Sequence, residues 1–284
     1  MSLAIEIKNI LAKYKIQPNK FRGQNFLINE NIIERIIEGA DLNSNDVVLE
    51  IGPGFGFLTR ALAQKVKQVV AVELDNDLFS ICQKLCRDYE NIKIIQGDIL
   101  KVDLNKILGD SIYSYKLIAN IPYRITGLIL RRFFSKELLP RLAVLMMQKE
   151  VAERITRKNN KGSILSNVIE FYGESKFILK VPSGNFIPSP KVDSAIVKII
   201  SRRIFSEQII EKELFNLIKN GFSSPRKFLL NNLVAYDIIK VENKDERRAV
   251  WEKVFEEIKI DKQIRAEDLL LADWLKIYNS MIIF

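Results

Sequence analysis

Short apolar runs that alternate with helix-like segments are the feature that most limits how this chain can fold. The runs with strand character are residues 47–51, 68–74, 91–98, 115–120 and 142–148. Segments 55–66 and 76–89, which have helical periodicity, separate the first three runs. Strands joined by single helices make crossover connections and assemble into a parallel sheet. The pattern therefore predicts an α/β protein with a doubly wound, Rossmann-like sheet.

The strand and helix pattern changes in the second half of the chain. Two further runs, 176–184 and 191–200, are joined by a segment rich in Gly, Pro and Ser, and we expect them to pair antiparallel at one sheet edge. C-terminal to these runs only helical patterns remain. The sequence therefore predicts two domains: residues 1–204, which begin with a helical segment at 1–45, and a small helical domain at 205–284.

The charge of the chain favours a polyanionic partner. Its 284 residues include 44 Lys and Arg against 35 Asp and Glu, a net charge of +9. Nucleic acid is the first expectation for such an excess, ahead of a membrane. The clustered cations are Lys13, Lys15, Lys20 and Arg22, then Arg154, Arg157, Lys158 and Lys161, then Arg226 and Lys227. A solvated surface is the competing interpretation of each cluster.

The chain contains no histidine, which excludes Ser-His and Cys-His nucleophilic catalysis and removes the commonest metal ligand. Cys82 and Cys86 are the only cysteines, and two ligands do not complete a zinc site. We expect both to be core residues and no metal to be bound. The sequence shows neither a disulfide framework nor an apolar run of about 18 residues, so we expect a cytoplasmic protein without a membrane partner.

A glycine-rich turn, Gly-Pro-Gly-Phe-Gly at residues 52–56, follows the first predicted strand. Glycine permits positive φ angles and close approach of a ligand to the backbone, and the next helix directs its first N–H groups at that ligand. The spacing G-x-G-x-G is not the dinucleotide pattern G-x-G-x-x-G, and no phosphate-binding lysine follows, which excludes a P-loop. The turn predicts a cofactor site that includes Gly52.

Two acidic residues end the next two strands. Glu73 lies about 20 positions after Gly52, where a carboxylate binds a ribose diol in folds of this type. Asp98 ends the third strand and can accept a hydrogen bond from an adenine amine. Either acid alone is equally consistent with a capping carboxylate. Together with the turn they indicate a ligand with ribose and adenine but no phosphate, which S-adenosylmethionine fits better than NAD.

The fourth predicted strand ends in Asn-Ile-Pro-Tyr, residues 120–123. An adenine N6 amine is a poor nucleophile, because its lone pair is delocalised into the ring, and acceptors for both N–H bonds increase its reactivity. The Asn120 side-chain oxygen and a backbone carbonyl at Ile121 or Pro122 can accept these bonds, while Tyr123 can stack on the purine. The tetrad thus indicates methyl transfer to adenine N6; an Asx-Pro turn with a packed tyrosine is the structural alternative.

These segments resemble a known family, the small-subunit ribosomal RNA adenine N6,N6-dimethyltransferases. The matching segments run nearly from end to end: GQNFL (23–27), EIGPGFGFLT (50–59), VELD (72–75), GDIL (97–100), NIPYRIT (120–126), QKEVAERI (148–155), FIPSPKVDSAIV (186–197) and RKFLLNNL (226–233). The resemblance implies an enzyme that transfers methyl groups from S-adenosylmethionine to N6 of two adjacent adenines in a 3′-terminal hairpin loop of 16S rRNA. The implied partner is the maturing small ribosomal subunit, and we expect a monomer.

The resemblance also implies the site residues. The cofactor contacts that carry over are Asn25, Leu27, Gly52, Glu73, Asp98 and Asn120. The implied catalytic residues are Asn120, Tyr123 and Phe186, the last facing Tyr123 across a flipped adenine. The candidate RNA-binding residues are Arg22, Arg124, Arg154, Arg157, Lys158, Lys161, Arg226 and Lys227.

Two positions depart from the family pattern. Arg124 stands where an uncharged residue is more usual, and is either a phosphate contact or a surface residue. Ser224-Pro225 stands where relatives tend to carry another basic residue, which weakens the prediction for the neighbouring RNA contacts.

Three other functions are compatible with parts of the sequence. They are a large-subunit rRNA adenine N6-methyltransferase of the macrolide-resistance type, a non-catalytic nucleic-acid-binding assembly or transcription factor, and a DNA adenine methyltransferase. The segment at 186–197 argues against the first, and the intact cofactor residues with Asn120 argue against the second. DNA enzymes usually carry a carboxylate-led tetrad, which argues against the third.

Overall fold

The computed structural model describes residues 2–19, 23–202, 209–236, 238–239 and 241–281. The chain divides into two compact units: Met1–Ala152 with Tyr172–Ser201, and Glu153–Phe171 with Arg202–Phe284. The segment 153–171, which the sequence assigned to the first domain, thus groups with the C-terminal helices. A domain boundary near residue 204 stays a prediction.

The strands and α-helices are numbered along the chain. The strands are β1 (Phe26–Leu27), β2 (Val47–Ile51), β3 (Gln68–Glu73), β4 (Ile92–Gln96), β5 (Lys116–Asn120), β6 (Leu142–Gln148), β7 (Gly173–Val181), β8 (Phe186–Ile187) and β9 (Ser194–Ser201). The α-helices are α1 (Leu3–Lys13), α2 (Glu30–Gly39), α3 (Phe57–Ala63), α4 (Asn76–Leu85), α5 (Leu104–Leu108), α6 (Thr126–Phe133), α7 (Lys149–Ile155), α8 (Ile164–Tyr172), α9 (Glu211–Gly221), α10 (Leu229–Val234), α11 (Lys244–Glu257) and α12 (Leu271–Met281).

Seven strands of the first unit form one sheet in the order β4-β3-β2-β5-β6-β9-β7. The five strands from β2 to β6 run parallel, whereas β9 is antiparallel to both β6 and β7. All five residues of β2 are buried, as expected for a strand with both faces of its sheet covered. The predicted α/β fold with a mostly parallel sheet and an antiparallel edge is confirmed.

The strand order reverses at β2, which pairs with β3 on one side and with β5 on the other. In doubly wound sheets, such a reversal leaves a crevice at the carboxyl ends of the strands, and ligands bind there. The strands around this crevice end at Ile51, Glu73, Gln96 and Asn120. The fold therefore brings the predicted cofactor residues and the tetrad to one edge of the sheet.

A second, two-stranded sheet in the first unit pairs β1 with β8 in antiparallel register. Phe26 lies opposite Ile187, and Leu27 lies opposite Phe186. This pairing joins the segment 23–27 to a part of the chain about 160 residues later. It holds that segment beside the carboxyl ends of the parallel strands.

The second unit consists of helices packed around its own apolar core. Trp251, Phe255 and Trp274 are fully buried in that core. Gly221 ends α9 at a point where a Cβ atom would collide with the Trp274 ring, so any larger residue there would displace the ring. Across the described residues of both units, no helix combines the length and the apolar character needed to cross a bilayer.

Candidate active site at the carboxyl end of the sheet

A cavity of about 330 Å³ lies in the first unit at the carboxyl ends of β2 to β5. That volume is within the range, roughly 300–1,000 Å³, that is usual for small-molecule sites. The predicted cofactor residues all line it: Asn25, Leu27, Gly52, Glu73, Asp98 and Asn120. Tyr123 and Arg124 line it as well. The structure thus brings together residues that are separated by up to about 100 positions in the sequence.

The glycine turn combines open space with close packing. Gly52 has a φ of +65°, and no atom lies within 4 Å of the position that its Cβ would occupy, so a ligand can approach the backbone there. At Gly56, with a φ of +77°, a Cβ would lie 2.7 Å from the Cys86 Sγ and 3.0 Å from the Cys82 Sγ. The two buried thiols, 3.9 Å apart, therefore support the turn from behind.

The Glu73 carboxylate ties the glycine turn to the end of β3. It accepts hydrogen bonds from the backbone N–H of Gly54, at 3.1 Å, and of Asp75, at 2.9 Å. Burial raises the pKa of Glu73, and these two hydrogen bonds oppose that effect. Because each carboxylate oxygen has two lone pairs, the group can still accept hydrogen bonds from a ligand's hydroxyls.

Asp98 holds the turn that follows β4. Its Oδ1 accepts from the Leu100 N–H at 2.9 Å, and its Oδ2 lies 3.9 Å from the Lys101 Nζ. The side chain remains partly exposed. The carboxylate is thus fixed at the cavity by a local turn.

Asn120 is oriented by the N-terminal segment. Its side-chain nitrogen donates to the backbone oxygen of Asn25 at 3.3 Å, which leaves its side-chain oxygen as the acceptor. The Pro122 carbonyl accepts from the Ile125 N–H at 3.1 Å, and the Thr126 hydroxyl lies 3.4 Å from the Pro122 carbonyl and 3.2 Å from that of Tyr123. Of the two backbone carbonyls considered from the sequence, that of Pro122 is therefore already engaged within its own turn.

The two predicted aromatic residues occupy different environments. Tyr123 is half-buried at the cavity, and its hydroxyl is hydrogen-bonded to the Ser194 hydroxyl of β9. Phe186 does not line the cavity: its side chain is only 2% exposed and belongs to the core of the unit. Phe186 pairs with Leu27 in the two-stranded sheet, and the arrangement in which its ring faces Tyr123 across a base stays a prediction.

Sequence reasoning missed Glu50, an acid inside the central strand β2. It lines the cavity and is buried, and its Oε2 has no hydrogen-bond partner. Burial raises its pKa from the ordinary value of 4.5 to about 8. The sequence did contain a signal for it, a carboxylate within an otherwise apolar run. Acidic residues are rarely buried unless they are paired or belong to a functional site.

The charges around the cavity are unequal. Among the described residues that line it, Glu50, Glu73, Asp75 and Asp98 are acidic, and Arg124 is the one cation. An acidic lining favours a cationic ligand and disfavours a pyrophosphate. Within the described ranges, no group of three or more Cys, Asp or Glu side chains is arranged to hold a metal ion.

The candidate RNA-binding cations differ in how far they are engaged. The Arg157 guanidinium donates to Glu170 at 2.9 Å, to the Asn167 side chain at 2.9 Å and to the Leu269 carbonyl at 3.0 Å. Lys161 forms ion pairs with Glu267 and Asp268. Arg157 and Lys161 thus stabilise the second unit itself.

The remaining candidate cations are Arg124, Arg154, Lys158, Arg226 and Lys227, which are all exposed. Arg22 lies outside the described residues. RNA contact by any of these residues stays a prediction.

Comparison with known proteins gives one consistent family. The family model for ribosomal RNA adenine dimethylase matches residues 16–282. A ribosomal RNA small subunit methyltransferase A from Dehalococcoides mccartyi is 38% identical, over 97% of this chain and 92% of the relative. The protein of the same name from Clostridium botulinum is also 38% identical, over 96% of this chain and 98% of the relative.

Solved structures agree with this assignment. A dimethyladenosine transferase from Plasmodium falciparum has a TM-score of 0.75 and 29% identity, covering 90% of this chain and 98% of its own. The 23S rRNA methyltransferase ErmE has a TM-score of 0.71 and 24% identity, covering 91% of this chain and all of its own, and shares the fold. The family resemblance found in the sequence is confirmed: this chain belongs to the ribosomal RNA adenine dimethylase family.

Proposed function

We propose that the chain transfers methyl groups from S-adenosylmethionine to N6 of two adjacent adenines in the 3′-terminal hairpin loop of small-subunit ribosomal RNA. The observation that carries the proposal is the oriented Asn120 amide in the same cavity as Gly52, Glu73 and Asp98. Membership of the adenine dimethylase family supports the reaction. The names of the relatives support the small subunit as the target. The proposed location is the cytoplasm.

The cavity fits S-adenosylmethionine, which when bound supplies a methyl group activated by its sulfonium. The ligand carries a second positive charge on its ammonium, and the unpartnered Oε2 of Glu50 is a suitable acceptor for it. Glu73 has acceptor capacity left for the ribose hydroxyls, and Asp98 for the adenine amine. The space beside Gly52 admits the ligand against the backbone. Asn25 and Leu27 would close the methionine end of the pocket.

Two acceptors would hold the target adenine amine. The Asn120 oxygen is one, since its amide nitrogen is occupied by the Asn25 carbonyl. The Ile121 carbonyl is the second, because the Pro122 carbonyl already accepts a hydrogen bond from the Ile125 N–H. Accepting both N–H bonds increases electron density on N6. An alkylated adenine amine releases its proton readily, so a chain without histidine can complete the reaction.

Tyr123 would stack on the flipped base. Its hydrogen bond to Ser194 restricts rotation of the ring, so the face presented to the base is fixed before binding. One stacked aromatic ring stabilises a bound base by about 1–3 kcal/mol. Phe186 is proposed as the second ring, and stacking on the base would require its buried side chain to become accessible when RNA binds.

A labelled-methyl assay tests this function. The substrates are small ribosomal subunits that lack the modification, with large subunits and DNA as controls. We expect label only in small-subunit RNA, on two adjacent adenines near the 3′ end. Label on large-subunit RNA or DNA would overturn the assigned substrate, and cofactor binding without transfer to any of the three would support the non-catalytic alternative.

A further inference from the structure

The exposed face of α6 forms a stripe that begins at the cavity. Arg124, in the 3₁₀ turn Tyr123–Ile125 that leads into α6, lines the cavity and is exposed, and the exposed residues Leu128 and Arg131 follow on one side of α6. Leu128 is 46% exposed. The opposite face of α6 buries Ile129, Leu130 and Phe133. We define the α6 stripe as Arg124, Leu128 and Arg131.

Arg132 fastens α6 to a neighbouring turn that carries a further cation, Lys101. The Arg132 guanidinium donates to the backbone carbonyls of Leu100, at 2.6 Å, and Val102, at 2.7 Å. These hydrogen bonds fasten the turn after β4 to α6. That turn carries Lys101, whose side chain is 84% exposed. The turn beside α6 thus adds an exposed cation, Lys101, to the two arginines of the α6 stripe.

The charge of this surface selects one kind of occupant. α6 contains two arginines and no acidic residue, whereas the cavity beside it is lined mostly by acids. The Nε of Arg131 donates to the Gly127 carbonyl at 3.1 Å, which steadies its guanidinium along the helix. Arginine with an exposed apolar side chain between the charges suits a single-stranded nucleic acid, which presents phosphates and base faces in turn.

We infer that the α6 stripe binds the RNA strand next to the target adenine, with Arg131 and Lys101 on phosphates and Leu128 against a base or ribose. This inference rests on the proposed function, because it needs an RNA strand whose adenine enters the cavity. From Arg124 to Arg131 the stripe is about 10 Å long, at about 1.5 Å per helical residue. It therefore engages the nucleotides adjacent to the flipped base, and acts in positioning rather than in the chemical step.

The first test compares two charge reversals. Arg131→Glu places a negative charge on the stripe. Lys67→Glu is the control: it makes the same charge reversal at an exposed lysine just before β3, at the amino ends of the parallel strands and away from the cavity. With small subunits that lack the modification, we expect Arg131→Glu to raise KM at least tenfold with kcat within about twofold of wild type. Arg131→Lys keeps the positive charge and should have a KM close to that of wild type. Lys67→Glu should leave the wild-type KM unchanged.

Salt dependence gives an independent readout. Each single-strand phosphate contact contributes about 0.7 to the slope of log affinity against log salt. The slope for Arg131→Glu should therefore be shallower than for wild type by roughly that amount, while cofactor affinity measured by calorimetry stays the same. Equal KM values and slopes for Arg131→Glu and Lys67→Glu, in an assay where wild type is active, would overturn the inference.

Photo-crosslinking separates RNA from other occupants. Leu128 is replaced by photoreactive p-benzoylphenylalanine and the complex with small subunits is irradiated. We expect crosslinks to nucleotides within about three positions of the methylated adenines, and crosslinks to a ribosomal protein or to distant RNA would overturn the inference. If wild type itself fails to methylate small-subunit RNA, the proposed function fails first, and the two failures remain distinguishable.

Discussion

The side-chain nitrogen of Asn120 donates to the backbone oxygen of Asn25 at 3.3 Å. This hydrogen bond joins the end of β5 to the segment 23–27 and decides which end of the amide is left to accept. Since the backbone of Asn25 supplies the contact, its side chain can be removed without breaking it. The pair therefore allows the orientation of the amide and the binding of the cofactor to be tested separately.

Asn120→Ala should lower kcat by about 10²-fold or more, the usual loss when one preorganised hydrogen-bonding group is removed from a transition state. Asn25→Ala should instead raise the KM for the cofactor and leave kcat near wild type at saturation. Steady-state kinetics on small subunits measures both. A loss of kcat in Asn25→Ala, with kcat retained in Asn120→Ala, would contradict the assigned roles.

Glu73→Ala should weaken cofactor binding and also destabilise the folded chain, because the N–H groups of Gly54 and Asp75 lose their acceptor. Each unsatisfied buried group costs about 1–3 kcal/mol. Asp98→Asn retains an acceptor for Leu100 and should weaken the cofactor with little change in Tm. Calorimetry measures the cofactor affinity of each variant, and thermal unfolding without cofactor measures its stability. Unchanged affinity in a folded Glu73→Ala protein would place the ribose elsewhere.

Glu50 should make the unfolding free energy fall with rising pH. Below pH 4.5 this residue is protonated in both the folded and the unfolded form. Between pH 4.5 and about 8 only the folded form keeps the proton, so the unfolding free energy decreases as the pH rises. Above about pH 8 both forms are ionised and the decrease stops. Relative to wild type, Glu50→Gln should thus gain stability from pH 5 to 8 and level off beyond. Urea unfolding across this range measures the difference. A difference that is independent of pH would show that Glu50 titrates normally.

Cofactor binding at pH 7 should release a proton from Glu50, since pairing with an ammonium favours the ionised carboxylate. Calorimetry in two buffers of different ionisation enthalpy detects this release, and Glu50→Gln should abolish it. Equal proton release by the variant would assign the proton to another group.

Gly56→Ala should destabilise the chain by roughly 2–4 kcal/mol. Part of this, about 1–2 kcal/mol, is the cost of a left-handed backbone with a Cβ, and the rest is overpacking against Cys82 and Cys86. Adding Cys86→Ala should recover the overpacking part and leave the backbone part. Urea unfolding of the single and double variants measures the coupling. Strict additivity of the two changes would mean that the thiols do not support the turn.

Arg157→Ala should lower the unfolding free energy of the chain by about 2 kcal/mol, because charge-assisted hydrogen bonds to Glu170, Asn167 and Leu269 are lost at a side chain that is only 15% exposed. Lys219→Ala, at an exposed position of α9 in the same unit, should have little effect on stability. Unfolding of each variant in urea separates them. Equal stability with weakened RNA binding in Arg157→Ala would favour the phosphate contact predicted from the sequence.

The sequence predicted the parallel strands to within one or two residues at most ends, because each is a short apolar run between polar turns. It also placed α3 and α4, and it predicted that the chain is helical after the last strand of the sheet. It did not resolve α6, since the tetrad at 120–123 leads directly into it and Gly127 weakens the helical pattern. Nor did it find β1 and β8: two residues on each strand are too few for a periodic signal.

The sites show a similar division between local and long-range information. The residues at strand ends could be predicted, since the carboxyl ends of parallel strands converge whatever the details of packing. Contacts with distant segments determine the burial of Phe186 and the ion pairs of Arg157 and Lys161. Composition alone does not contain this information, so each cation was interpreted as exposed. Glu50 was overlooked because the whole run 47–51 was interpreted as a core strand, and its one acidic residue was not considered separately.

The pairing of β1 with β8 has a consequence for the order in which the enzyme becomes competent. When synthesis has reached Gln148, the chain already contains every parallel strand and every acid of the cavity. The carbonyl of Asn25 that orients Asn120 is still unsupported at that moment, because the strand that pairs with Phe26 and Leu27 begins only at Phe186. A nascent chain that has reached Gln148 therefore holds the strands and the acids of the cavity, but the segment that carries Asn25 and Leu27 gains its pairing strand only after nearly forty more residues have been added.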